Sequence, residues 1–165
     1  MAWDVEECED AKLAAELVSR ACLKERISRH RKQQHALHAD NGNAMRAETL
    51  EVRLEELRVL RSFSGPRMSN DNPYSESLFR TDKYRPDYPS RPFSSKEEAS
   101  LWISAFVGWY NHQHRHNGIK FVTPQQRHCG EAITICHQRI HVHEQARKQN
   151  PRRWTGAHAV CANQK

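Results

Sequence analysis

The chain has 165 residues, a mass of 19.3 kDa and a net charge of +6, and 37 % of its residues are hydrophobic. This is enough for one domain with a modest core and a tail. It has no long apolar run, and the first residues are acidic where a secretory signal is basic, so we expect no membrane span and predict a cytoplasmic location.

Cysteine and histidine are frequent, but their spacing does not predict a metal site. Five cysteines, without any C-x-x-C pair, indicate reduced packing residues rather than a disulfide framework. Two histidine-rich groups match none of the usual zinc spacings, so surface and half-buried histidines are the preferred interpretation. These groups are His112, His114 and His116, and Cys129, Cys136, His141 and His143.

The first part of the chain predicts a helix, a strand, a helix and a second strand. Residues 8–27 have apolar positions at helical spacing, and Gln34–His38 predicts a short strand that ends at the turn Asp40-Asn41-Gly42. Helix formers dominate residues 44–57, and Val59-Leu60 is the second candidate strand. This order predicts a parallel crossover, with Asp40 and the loop after residue 63 on the same rim of the sheet.

The next segment predicts a turn-rich loop at residues 64–72 and a helix that begins at Pro73. Glu76, Arg80 and Lys83 have helical spacing and share one face of this helix. The face presents an acid beside two cations that can hold a DNA phosphate. Asp82 stands where the same spacing predicts an apolar residue, and its burial would be costly without a partner.

The last part of the chain predicts helices and a basic end. Ser94-Ser95-Lys96-Glu97 is a candidate capping box before a helix, and Thr123-Pro124 begins a further helical region. Residues 121–165 carry 7 basic and 2 acidic side chains, so we predict a core at residues 1–120 and a basic helical tail at 121–165. The first of these helices has an apolar double stripe that is typical of a core: Leu101, Trp102, Ala105, Phe106, Trp109 and Tyr110.

Three motifs in order carry a resemblance to a known family. They are His38–Gly42, Ser69–Phe79, and Trp109–Gly118 followed by Thr123-Pro124. Together they resemble the catalytic core of bacterial insertion-sequence transposases, which share the retroviral-integrase (DDE) type of fold. The resemblance implies an α/β, ribonuclease H-like fold, here truncated and followed by C-terminal helices.

The resemblance also implies a chemistry. Such transposases use two Asp and one Glu to bind two Mg²⁺ ions, which activate water to nick DNA and then promote attack of the freed 3′-hydroxyl on a target phosphodiester. By this resemblance Asp40 is the second catalytic acid and Glu76 the third, and both are metal ligands. Lys83 matches the family's basic residue seven positions beyond that Glu, and with Arg80 it is a candidate DNA contact. Without the resemblance, Asp40 is an ordinary turn residue and Glu76 an ordinary first-turn acid.

The sequence departs from the family at its beginning. The first catalytic Asp is expected on a strand that precedes a Trp, which Trp3 matches, and we expect this strand to be absent. Asp4 follows that Trp and is not expected to substitute. We therefore expect a catalytic-core fragment with an exposed sheet edge, reduced apolar burial and little strand transfer on its own.

Three functional hypotheses stay open at this point. The chain is a DNA-integrating enzyme completed by a segment from another reading frame, or a non-catalytic DNA-binding or oligomerising fragment that inhibits an intact transposase, or an inactive remnant. The expected partners are DNA, both transposon ends and target, and either further copies of the chain or an intact transposase. A bacterial protein of this kind associates with the nucleoid when bound to DNA.

Overall fold

The computed structural model describes residues 2–27, 34–65 and 73–154. These residues have a mixed α/β structure, which confirms the predicted class at this level: mainly helices, with one small parallel sheet. Residues 66–72 of the predicted loop, Asp71 among them, lie outside the described residues. The helices are α1 Ala11–Lys24, α2 Asn43–Arg46, α3 Glu48–Leu57, α4 Pro73–Lys83, α5 Lys96–His112, α6 Pro124–His128 and α7 Ala132–Gln149, and the strands are β1 His35–Ala39 and β2 Val59–Phe63.

The chain divides into two compact units, Met1–Trp102 and Ile103–Lys165. The predicted division at residue 120, between a core and a basic tail, stays a prediction. Within the described residues, no helix has the length and apolar character needed to cross a lipid bilayer.

The first unit is organised around the pairing of β1 with β2. The two strands are parallel and in register from His35 opposite Val59 to Ala39 opposite Phe63. Parallel neighbours need a crossover connection, and here α2 and α3 provide it. The predicted strand, helix, strand crossover is confirmed.

One face of this sheet is covered and the other is open. Leu37 of β1 and Val59 of β2 pack against a core formed by α1 and α3. On the opposite face Ala36, His38 and Leu60 are exposed, and Leu60 is 51 % exposed. Parallel sheets are normally covered on both faces, so the described part of this sheet leaves apolar surface in contact with solvent. The core itself consists of Ala15, Leu50 and Leu54, with Ala14, Val18, Leu37, Met45 and Val59 against it.

Capping and backbone conformation explain several helix limits in the first unit. Asp10 caps α1 by accepting from the backbone N–H of Lys12 at 2.6 Å. The single helix predicted over residues 44–57 is wrong, because Ala47 is extended (φ −66°, ψ 142°) and separates α2 from α3. Arg58 ends α3 in the left-handed conformation, a common helix termination.

The segment from α4 to α5 is held by a polar contact that the sequence did not predict. Asp82 is half-buried, and its Oδ1 accepts a hydrogen bond from Nε1 of Trp102 at 3.3 Å. The ring of Tyr88 meets the same indole edge-on, with the ring centroids 5.7 Å apart. The acid at position 82 therefore has a partner, and its cost is smaller than that of an unpaired buried carboxylate.

The N-terminus of α5 is capped one residue later than predicted. Ser95 Oγ accepts from the backbone N–H of Glu98 at 3.2 Å, and the Glu98 carboxylate accepts from the backbone N–H of Ser94 at 2.6 Å. The capping residues are thus Ser95 and Glu98 rather than Ser94 and Glu97. The apolar stripe on α5 is partly confirmed, because Phe106 is buried whereas Leu101 is 74 % exposed.

The second unit contains the end of α5, a 3₁₀ turn at Asn117–Ile119, α6 and α7. Phe106 contacts the rings of Trp109 and Tyr110. Thr123 and Gln126 form a capping box before α6, and Pro124 lies in the first turn. The prediction that Thr123-Pro124 begins a helix is confirmed.

The Leu54→Ala substitution tests the core of the first unit. Leu54 is 2 % exposed, and truncation of a buried leucine leaves a cavity, so we expect the free energy of unfolding to fall by about 2 to 5 kcal/mol. Denaturant unfolding followed by circular dichroism measures the change. Val52→Ala is the matched control, since Val52 lies on the same helix but is 48 % exposed. Equal effects of the two variants would contradict the proposed core.

Candidate functional site

The carboxyl ends of β1 and β2 lie level with each other at one rim of the sheet. Beyond the last pair, Ala39 and Phe63, the backbone N–H of Ser64 donates to the carbonyl oxygen of Ala39 at 3.1 Å. This contact continues the ladder by one step. It confirms that Asp40 and the residues after Phe63 share one rim, where ligands of parallel sheets commonly bind.

Side chains join the two strand ends across this rim. Asn41 Nδ2 donates to the carbonyl oxygen of Ser64 at 3.0 Å. His38 Nδ1 and Ser62 Oγ are 3.0 Å apart, within hydrogen-bonding distance. The residues around Asp40 are therefore held to β2 by side-chain contacts in addition to the strand pairing.

Asp40 follows β1 directly and is exposed. Its Oδ1 accepts a hydrogen bond from the backbone N–H of Gly42 at 3.0 Å, the usual geometry of an aspartate that begins a turn. This bond orients the carboxylate at the rim. A turn role and a metal-binding role both agree with this geometry.

A second carboxylate, that of Glu9, lies beside Asp40. Its place in the site was not predicted from the sequence. Glu9 Oε1 accepts from the backbone N–H of Ala44 at 3.1 Å and so caps the start of α2. A Cβ placed on Gly42 would lie 3.1 Å from Asp40 Oδ1 and 3.2 Å from Glu9 Oε1, so both acids approach the same glycine. The available sequence signal was weak: the residue before α2 is Gly42, which offers no capping side chain of its own.

Glu76 occupies the first turn of α4, and Arg80 and Lys83 occupy its last turn. All three side chains are exposed, and the guanidinium of Arg80 lies 5.8 Å from the ring centroid of Tyr84. The acid at the start and the cations at the end follow the preference of the helix dipole. This arrangement confirms the helix, whereas the roles of the three side chains stay predictions.

Metal binding by these residues has a limited structural basis. In residues 2–27, 34–65 and 73–154, no group of three or more His, Cys, Asp or Glu side chains is arranged to hold a metal ion. The convergence of Asp40 and Glu76 on a shared cation therefore stays a prediction. Asp40 and Glu9 are close together through their contacts around Gly42, and carboxylate oxygens are suitable ligands for Mg²⁺.

Asp4 is engaged elsewhere. Its carboxylate forms an ion pair with Arg20 of α1 and also accepts from the backbone N–H of Val5. The hydrogen bond from Arg20 is the main cause that lowers the pKa of Asp4 below its usual value, and the Val5 N–H contributes. Asp4 is thus a surface ion-pair residue in the first unit, where its charge is offset by a neighbouring cation.

Comparison with known proteins identifies the type of domain. No curated protein matches the chain. Residues 57–124 match the family profile described as Integrase core domain. The matched segment begins at the end of α3 and includes β2, α4 and α5, and it contains Glu76, Arg80 and Lys83 but not Asp40. The match of this segment supports a protein of the integrase and transposase catalytic-core type.

Proposed function

We propose that the chain acts in DNA transposition as part of a transposase catalytic core of ribonuclease H-like fold. The observation that carries this proposal is the match of residues 57–124 to the integrase core domain. Integrases of this type act on DNA, so DNA is the proposed partner. The basic stretch at residues 121–165 supports the same partner, because it can neutralise phosphates without reading sequence.

Asp40 and Glu76 are the proposed ligands of Mg²⁺. Asp40 is oriented at the rim of the sheet by its bond to Gly42, and the nearby Glu9 increases the negative charge there. When bound, Mg²⁺ would act as a Lewis acid that activates the attacking oxygen and stabilises the leaving oxygen of the phosphodiester. The protein side chains then have to hold and orient the DNA, a role that we assign to Arg80 and Lys83 on the face of α4 that carries Glu76.

A further acid-bearing segment would complete this site. Within the described residues the sheet has two strands, so each strand has one edge without a neighbour. An additional strand beside β1 could bring an acid next to Asp40. We propose that such a segment is required for cutting and joining DNA.

Divalent-cation binding tests the assigned ligands. Mn²⁺ titration followed by electron paramagnetic resonance is expected to show binding that is at least about tenfold weaker in Asp40→Asn and in Glu76→Gln, since even the loss of a residue that only supports a ligand typically costs this much. Glu55→Gln on α3 is the control, because it removes an exposed acid outside the proposed site. Equal Mn²⁺ affinity in all four proteins would refute the ligand assignment.

Duplex DNA binding tests Arg80 and Lys83. Each residue that contacts a phosphate releases a counterion, so Arg80→Ala and Lys83→Ala should each reduce the slope of log affinity against log salt by about 0.9. Fluorescence anisotropy at several salt concentrations measures the slope. Lys12→Ala on α1 is the control, since Lys12 is also exposed. Unchanged slopes in both α4 variants would remove this DNA contact from the proposal.

A non-catalytic role is the second candidate function. It is favoured by the open face and the unpaired strand edges of the described sheet, which are features that other chains commonly pair with. In this role the chain would bind DNA or join an intact transposase and reduce its activity.

A strand-transfer assay with model DNA ends and Mg²⁺ separates the candidates. We expect no joined product from this chain alone, because the described residues contain no group of three acids arranged to hold a metal ion. A lower yield when the chain is added to an intact transposase of the same type would favour the non-catalytic role, whereas joined product from the chain alone would exclude it as the main function. If the chain alone gives no joined product and also leaves the yield of the intact transposase unchanged, an inactive remnant would be favoured.

A further inference from the structure

The turn at residues 116–122 has a strained backbone at two consecutive positions. Lys120 has φ 67° and Phe121 has φ 55°, in the left-handed region that bulky L residues rarely adopt. Gly130 in the same unit has φ 80°, where the absence of a Cβ makes this region accessible. On backbone grounds a glycine would suit position 121 better than a phenylalanine, so the aromatic ring there needs another explanation.

Hydrogen bonds from both sides hold this strained turn. Arg139 of α7 donates from Nη1 to the carbonyl oxygen of Lys120 at 2.7 Å and from Nη2 to that of Phe121 at 3.0 Å. The backbone N–H of Phe121 donates to the carbonyl oxygen of His116 at 2.9 Å. The next residue, Val122, is fully buried. The conformation of Phe121 is therefore imposed by its surroundings.

Packing does not explain the ring of Phe121, which is 59 % exposed. A large apolar side chain in water and a disfavoured backbone conformation are both unfavourable for the free protein. The fixed backbone also means that a ligand could stack on the ring with little further loss of conformational entropy. Strained residues that their surroundings hold in place are frequent at ligand-binding sites.

The charge of the sequence on either side of the turn indicates the chemistry of that ligand. The sequence has no acidic residue between Glu98 and Glu131, and in this stretch it has Arg115, Lys120 and Arg127. Arg115 and Arg127 are exposed. An exposed aromatic face among cations is the combination that binds unpaired nucleic acid, because bases stack on the ring while phosphates contact the cations.

We propose that Phe121 stacks on an unpaired base of bound DNA, with Arg115 and Lys120 against the neighbouring phosphates. Arg139 is a positioning residue, because it holds the backbone of the turn that carries the ring. This inference rests on the proposed function, which makes DNA the partner. It adds a preference for DNA with unpaired bases at a strand end over fully paired duplex.

Two fluorescent hairpin DNAs with the same stem sequence test the stacking, one blunt and one with a short single-stranded extension. Each is closed by a non-nucleotide linker, so that the loop offers no unpaired base. Phe121→Ala should weaken binding of the extended DNA at least about fivefold, since base stacking on an aromatic ring contributes that much or more. Binding of the blunt DNA should be unchanged. Phe121→Trp should retain the preference, and Ile133→Ala is the control, since Ile133 of the same unit is 63 % exposed.

Arg139→Lys tests the positioning role at constant charge. A lysine ammonium cannot reproduce the fork that binds both carbonyl oxygens, so the preference for extended DNA should fall while the affinity for blunt DNA is retained. A 2-aminopurine base in the extension provides a direct readout. Its fluorescence should be quenched by the original protein and by Phe121→Trp, and quenched less by Phe121→Ala and Arg139→Lys.

The outcomes separate this inference from the function on which it rests. Equal affinity of Phe121→Ala and the original protein for extended DNA, with both hairpins still bound, would overturn the stacking and leave the proposed function intact. A loss of the same size on both hairpins would also overturn it. Failure of the original protein to bind either hairpin would overturn both the inference and the DNA partner.

Discussion

The parallel pairing of β1 with β2 is the constraint on which the candidate site depends. Its register places Ala39 opposite Phe63 and therefore brings Asp40 level with Ser64. Leu37 and Val59 maintain this register by packing against the core that includes Leu50 and Leu54. A slip by one residue would turn the apolar side chains of a strand to the open face, so the hydrophobic core and the position of Asp40 are set by the same packing.

Local patterns predicted the main elements, but contacts between distant residues decided several details. The apolar spacing of residues 8–27 and the Asp-Asn-Gly turn after β1 were sufficient to predict α1 and the end of β1. The break at Ala47 was not predictable from its neighbours, since alanine favours helix. Glu9 caps α2 from 35 residues away in the chain. The shifted cap of α5 has a simpler cause, because two adjacent serines offer alternative starts and only the observed hydrogen bonds distinguish them.

The site residues were predicted with different kinds of support. The position of Asp40 at a strand end follows from periodicity and turn chemistry, and the structure agrees. Its catalytic role, like that of Glu76, came from motif resemblance, since an isolated turn aspartate and a first-turn glutamate are common. The strained conformation of Phe121 could not be predicted, because it opposes the preference of the residue and depends on Arg139, 18 positions later.

Among the described residues, one edge of β1 has no neighbouring strand, and this edge links the order of the rim to association with another segment. Any segment that adds to this edge binds the folded sheet and not the unfolded chain, so its binding free energy also stabilises the sheet by mass action. The hydrogen bonds around Asp40, Asn41 and Ser64 would then persist for a larger fraction of time when such a segment is present. Assembly would thus control the geometry of the acid at the rim, even without touching its carboxylate.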